Sequence, residues 1–196
     1  MGSYSVFAAI DFETANTRKD GACAVGVVRV EAGRIVARAK QLLRPPKSDF
    51  IFSAVHGITW ADVVGAPSFD DSWTQLSPLL SGVGFIAAHN ASFDSAVLAA
   101  CCAAAGLKVP PIPFLCTVRL ARRAWGVFPT TLPAVCRRLH IPLRHHDPLS
   151  DAEASARIVL AAGRAIGSLF EKCVLTAAEI ALTEKEGDLN AIAQQS

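Results

Sequence analysis

Apolar and polar positions divide the chain into a strand-rich first part and a helix-rich remainder. Val6 to Ile10 is an unbroken apolar run, the pattern of a strand covered on both faces. Cys23–Val30 and Arg34–Leu43 follow as β-rich runs joined by Glu31-Ala32-Gly33, a short glycine-containing connection that predicts a hairpin. Pro45-Pro46 ends the third run, because proline has no N–H to give to a ladder. Residues 44 to 67 read as a long irregular connection, and segments of that length in compact domains usually carry function. Ser68 predicts the N-cap of a helix over Phe69–Leu80. Val83–Ala88 is a short apolar strand running into His89-Asn90, and a helix over Ser92–Ala105 stops at Gly106. Phe114–Val118 predicts a last strand, with helices over Thr131–Leu139 and Ser150–Ile166 after it. Ser150 and Glu153 have capping-box spacing, so the final helix is predicted to begin at Ser150 and to close at Gly167. A hairpin meander followed by alternating strands and helices predicts an α/β protein, a mixed five-stranded sheet flanked by helices. Residues 1–167 are expected to form this domain, and 168–196 a helix around Leu169–Cys173 with a polar tail.

Composition narrows the class. Apolar residues make up 52% and charged residues 18% of the 196, against typical values of about 45–50% and about 25%. That balance excludes a disordered chain. No run reaches the about 20 apolar residues of a membrane span. Residues 1–6 lack the basic segment and cleavage site of a signal peptide, and the six cysteines form no C-x-x-C pair. A cytoplasmic protein with reduced thiols is the expectation. Charge is unevenly placed: no acidic residue lies between Asp94 and Asp147, whereas Lys108, Arg119, Arg122, Arg123, Arg137, Arg138 and Arg144 do. Such a stretch suits a polyanion such as nucleic acid, although a solvated basic face has the same composition.

Three segments carry chemistry. Asp11 and Glu13 stand two apart in extended chain, so both carboxylates point to one face while Phe12 points to the other. Paired carboxylates at the end of a buried strand repel each other unless cations lie between them. An acidic strand end facing water is the plainer alternative, and the apolar run before it argues against that. In His89-Asn90-Ala91-Ser92-Phe93-Asp94, Asn90 or Ser92 can cap a helix whose first turn holds Asp94, where the dipole favours an acid. His89 reads as a structural residue. Asp151 likewise opens a late helix, and a histidine on the loop before it is placed for proton transfer near neutral pH. By chemistry alone His145 and His146 both qualify.

Taken in order, Ile10-Asp11-Phe12-Glu13-Thr14, Val55-His56-Gly57-Ile58-Thr59, His89 to Asp94 and His146 to Asp151 resemble the DEDD superfamily of 3′–5′ exonucleases, in its histidine-bearing (DEDDh, DnaQ-like) branch. That branch includes proofreading subunits of bacterial replicative polymerases, ribonuclease T and oligoribonuclease, and the resemblance covers about residues 5–166. It implies a ribonuclease H-like fold and an enzyme that releases nucleoside 5′-monophosphates from the 3′ ends of single-stranded DNA. Trimming of RNA 3′ ends is the alternative substrate class, and a non-catalytic nucleic-acid or polymerase interaction module is the rival of another class. By motif position, Asp11, Glu13, Asp94 and Asp151 would hold two Mg²⁺ or Mn²⁺ ions. The family's four-residue spacer selects His146 as general base. Thr14, Ala15, Val55, His56 and Phe93, with Asn90 nearby, would enclose the terminal nucleotide. Many polymerase-linked members carry a glycine soon after the threonine, where this chain has Ala15-Asn16. Residues 168–196 are the candidate segment for docking on a polymerase.

Overall fold

The computed structural model describes residues 6–167 and Val174. The helix and polar tail expected over 168–196 lie, apart from Val174, outside the described residues. Strands β1 (Val6–Thr14), β2 (Ala22–Glu31), β3 (Arg34–Leu42), β4 (Ile86–Ala88) and β5 (Phe114–Cys116) form one sheet in the order β3-β2-β1-β4-β5. The first three pair antiparallel, and β4 and β5 run parallel to β1. The sheet is therefore mixed and five-stranded, as the sequence pattern predicts. At the β2–β3 connection Ala32 and Gly33 both take positive φ, 47° and 77°, the two-residue turn whose twist matches that of the strands it joins.

Seven α-helices lie within residues 6–167: α1 (Ser53–His56), α2 (Trp60–Val63), α3 (Phe69–Leu76), α4 (Ala91–Ala104), α5 (Thr117–Trp125), α6 (Leu132–Leu139) and α7 (Pro148–Ile166). The alternation along β1 sorts the core into two layers. Ala8, Ile10 and Phe12 join Val25 and Val27 beneath α3 and α4. Phe7 and Ala9 join Val28 and Val30 on the opposite face, beneath Ala152, Ala156 and Val159 of α7. By the same parity Asp11 and Glu13 fall on the α7 face. Helices α5 and α6 pack outside α7, where Ala121, Leu132 and Val135 meet Ala154 and Ile158.

Several boundaries differ from the sequence expectation. The first strand continues past Ile10 to Thr14, because β2 pairs with it throughout, so Asp11 and Glu13 stand in the strand rather than after it. The irregular connection contains α1 and α2. The helix expected to reach Leu80 ends at Leu76 and tightens into a 3₁₀ turn over Ser77–Leu80, where Pro78 cannot donate to the α-helical ladder. The strand expected over Phe114–Val118 stops at Cys116, and the chain turns at once into α5, which no expectation covered. Its signal was legible: Leu120 and Ala121 are buried and Arg119, Arg122 and Arg123 are exposed, the two sides of an amphipathic helix. The last helix begins at Pro148, not Ser150. Its N-cap is Asp147, whose Oδ1 accepts the Ser150 N–H at 3.0 Å. The Ser150–Glu153 capping box does not form: the Ser150 hydroxyl accepts from the Arg144 N–H, and Glu153 pairs with Arg38 and Arg157.

Candidate active site

The acidic residues converge at one end of the sheet because three elements end or begin there. On β1, Asp11 pairs with Gly26 of β2, and an added Cβ at Gly26 would run into the backbone of Pro148 and Leu149. Glycine at 26 thus admits the first turn of α7 directly onto the sheet beside Asp11. The same first turn of α7 delivers Asp151 to this place. Ligand atoms of Asp11, Glu13 and Asp151 all lie within 4.8 Å of one another.

Asp94 arrives from the opposite layer. The parallel ladder between β1 and β4 is short, pairing Ala8 with Ile86 and Ala9 with Ala87, and beyond it β4 gives way to His89-Asn90 and α4. The Phe12 N–H on that edge is taken by Asp94 Oδ1 at 3.0 Å, a buried bond. Asp94 is 2% exposed and stands in the first turn of α4, as predicted. It is not part of the close three-carboxylate group.

Burial makes these carboxylates reluctant to ionise. Asp11 is held well above the usual range by burial first and then by the charges of Asp94, Asp151 and Glu13. Glu13 is pushed up to about 8 by burial, then by Asp151 and Asp94. Asp94 rises to about 7 through burial, opposed by the Phe12 N–H. Asp151 is also raised by burial, opposed by hydrogen bonds from the His146 backbone and the His145 ring. Its Oδ2 accepts the His146 N–H at 3.1 Å and His145 Nδ1 at 2.8 Å, whereas its buried Oδ1 has no partner. An orphaned carboxylate oxygen beside two further carboxylates is costly unless a cation meets it. An all-oxygen donor set of this charge fits a hard divalent cation such as Mg²⁺ or Mn²⁺.

The two loop histidines stack, with ring centroids 3.8 Å apart. Their surroundings separate them. His145 is committed to Asp151, whereas His146 Nδ1 stands 3.8 Å from Glu13 Oε1. His146 takes a positive φ of 67°, turning its ring toward β1. Burial and the neighbouring His145 charge lower its pKa below the usual histidine value.

Of the residues expected around a nucleotide, Thr14 and His56 are joined directly. His56 Nδ1 accepts the Ile58 N–H at 3.1 Å, which leaves the ring proton on Nε2 to donate to the Thr14 carbonyl at 3.1 Å. This bond seats α1 on the end of β1 and leaves Val55 51% exposed beside it. Ala15 differs from the expectation. It is fully buried, its N–H donates to Gly21 and its carbonyl accepts from Ile51 and Phe52, so its backbone ties the end of β1 to these two segments and has no group left to offer. Asn90 is exposed in the left-handed conformation at the N-cap of α4 and makes no side-chain cap bond. Phe93 is half-buried, with Lys19 Nζ 3.9 Å above its ring. Sequence reasoning passed over Lys19, whose charge also favours ionised Asp94. Only its place five residues after Thr14 could have marked it. His89 is structural as expected, bonded through Nδ1 to Thr117 Oγ1 at 2.9 Å and through Nε2 to the Thr130 carbonyl at 2.8 Å.

A mixed five-stranded sheet with an acidic cage where β1, α4 and α7 meet, and a histidine at its mouth, defines a nuclease of the ribonuclease H-like class. The chain belongs to the exonuclease family: the RNase_T family model, described as an exonuclease, matches residues 8–159. Enzymes of the DEDDh branch use divalent metal ions, and Asp11, Glu13 and Asp151 form a cluster that could hold one. Among curated relatives, Exodeoxyribonuclease 10 of Escherichia coli (strain K12) is 32% identical over 161 residues, covering 77% of this chain and 66% of that protein. DNA polymerase III PolC-type of Thermotoga maritima is 27% identical over 167 residues, covering 80% of this chain and 12% of that protein. The chain thus spans just under two thirds of the first relative and a small part of the second. The solved structure of Exonuclease X in complex with 5′ overhanging duplex DNA superposes with a TM-score of 0.71 at 27% identity, covering 89% of this chain and 99% of that one. Among the described residues no helix is long and apolar enough to cross a membrane.

Proposed function

We propose that the protein is a metal-dependent 3′–5′ exonuclease that releases nucleoside 5′-monophosphates from the 3′ ends of single-stranded DNA. The observation that carries this reading is the close group of half-buried Asp11 with buried Glu13 and Asp151, and its orphaned oxygen. Asp11, Glu13, Asp94 and Asp151 hold two divalent cations, Mg²⁺ or Mn²⁺. When bound, such a pair polarises the phosphate and lowers the pKa of the attacking water. His146 is the general base. Its ring is partly exposed beside Glu13, and burial lowers its pKa, which favours the neutral form that takes the proton of the incoming water. His145, already donating to Asp151 Oδ2, orients that carboxylate instead.

Thr14, His56, Val55, Asn90 and Phe93 line the place of the terminal nucleotide, and Phe93 and Val55 offer surfaces on which a base rests whatever its identity. DNA is favoured over RNA because relatives at 27–32% identity are named for deoxyribonuclease or DNA polymerase activity. A non-catalytic module gains no support, since burying four repelling carboxylates serves no purpose without cations.

With a 5′-labelled single-stranded oligonucleotide and Mg²⁺, the wild-type chain is expected to give a ladder shortening from the 3′ end. Asp11→Ala is expected to abolish it, and an unchanged ladder refutes the assignment. Matched DNA and RNA substrates decide between the two substrate classes.

A further inference from the structure

Phe128 is 84% exposed, the barest large apolar side chain among the described residues. It sits in the loop between α5 and α6, and that loop is not loosely attached. Helix α5 ends at Gly126, and the chain doubles back so that Arg122 Nε bonds Thr130 Oγ1 at 2.9 Å. His89, which follows β4 and precedes the turn carrying Asp94, holds Thr117 at the start of α5 and the Thr130 carbonyl in the loop. Both ends of the α5 unit are therefore tied to one residue at the rim of the acidic site.

The exposed side of α5 carries Arg119, Arg122 and Arg123, at the i, i+3 and i+4 spacing of one helical face. Among the described residues none of these three makes an ion pair, a state they share with Arg34, Arg44, Arg137, Arg138, Arg144 and Arg164; what sets them apart is their grouping on one short exposed helix face. The helix dipole favours Arg122 and Arg123 in the last turn, but it accounts neither for Arg119 nor for a bare phenylalanine. Exposed guanidinium groups on a helix, followed directly by a loop that presents an exposed ring, suit a chain of phosphates bearing unstacked bases.

We propose that Phe128 with Arg119, Arg122 and Arg123 forms a second docking surface, which holds unpaired nucleotides of the substrate strand upstream of its 3′ end. Phe128 stacks on a base and the arginines meet the phosphates. This rests on the exonuclease reading above and adds to it a fixed track for long single strands.

The test compares wild type, Phe128→Ala, Phe128→Trp and the double variant Arg119→Gln/Arg123→Gln on a dinucleotide and on a long oligothymidylate. Phe128→Ala is expected to raise KM for the long strand about 5- to 160-fold, the loss of one base stack, and Phe128→Trp to restore it. The effect appears in KM, not kcat, and the dinucleotide shows none of it. The double variant is expected to reduce the dependence of log KM on log salt by about 1.4, about 0.7 for each lost phosphate contact on a single strand. An equal effect on both substrates, or no effect on either, overturns the proposal. If wild type degrades single strands and the variants behave like it, only this surface is refuted. If wild type degrades neither substrate, the exonuclease reading falls instead.

Discussion

At the scale of single residues, the site depends on which histidine keeps a free ring. His145 and His146 stack and share Asp151 as a neighbour, yet the His145 ring and the His146 backbone take its Oδ2, and only the His146 ring is left beside Glu13. His146→Gln is expected to lower kcat by about 10²- to 10⁴-fold, the usual worth of a general base. Stabilisation by Mg²⁺ should persist in that variant, because its carboxylates are untouched. Melting curves with and without the ion, run beside the rate assay, check both halves; loss of the metal effect would make His146 a ligand instead. His56 and His89 illustrate the opposite case. Each has both ring nitrogens committed to hydrogen bonds within the fold, and each acts as a fastener.

At the scale of elements, the decisive contact is the first turn of α7 lying on β2. Gly26 is the partner of Asp11 across the ladder, and its missing side chain is the space that Pro148 and Leu149 occupy. Gly26→Val is expected to lift the helix start, destabilising the protein by about 1–3 kcal/mol as overpacking does. Because Asp151 rides on the same turn, activity should fall further than stability alone explains. Rate measurements well below the melting temperature separate the two, and full activity there would show that α7 is placed by other contacts. The same element shows why the predicted capping box failed. Pro148 fits the first helical position, so Asp147 becomes the cap, and its Oδ2 also meets Lys40 of β3 at 2.6 Å. Glu153, released from capping, pairs with Arg38 across the same layer.

At the scale of the whole molecule, the fold carries a charge cost that cations relieve. Asp11, Glu13, Asp94 and Asp151 all have raised carboxyl pKa values, Glu13 about 8 and Asp94 about 7. A carboxyl that binds its proton more tightly in the folded than in the unfolded chain does no harm below its unfolded pKa, near 4. As pH rises from there to its folded value, the unfolded chain sheds the proton first and stability falls. The metal-free protein is therefore expected to melt at a lower temperature at about pH 8 than at about pH 6, a fall for which these carboxyls account. Mg²⁺ or Mn²⁺ at about 100 times its dissociation constant should add about 2.7 kcal/mol, or about 5–10 °C for a chain of this size. At one fixed ion concentration the gain should be larger at the higher pH, because the ligands must be deprotonated to bind and affinity therefore rises with pH. Calorimetry at the two pH values tests this, and a metal effect independent of pH would refute it.

The sequence by itself determined the sheet, the face on which Asp11 and Glu13 stand, and the presence of Asp94 and Asp151 in first helical turns. Those features follow from local periods, two residues in a strand and 3.6 in a helix, and from the order of motifs along the chain. Only the tertiary structure decided that Asp94 closes the open edge of β1, that Gly26 admits α7, that Ala15 is spent on the fold and that, among the described residues, Arg119, Arg122 and Arg123 have no acid paired with them. Each depends on residues far apart in the chain, or on a helix the pattern reading passed over. Distance between elements is set by packing, and no window along a single strand or helix contains it.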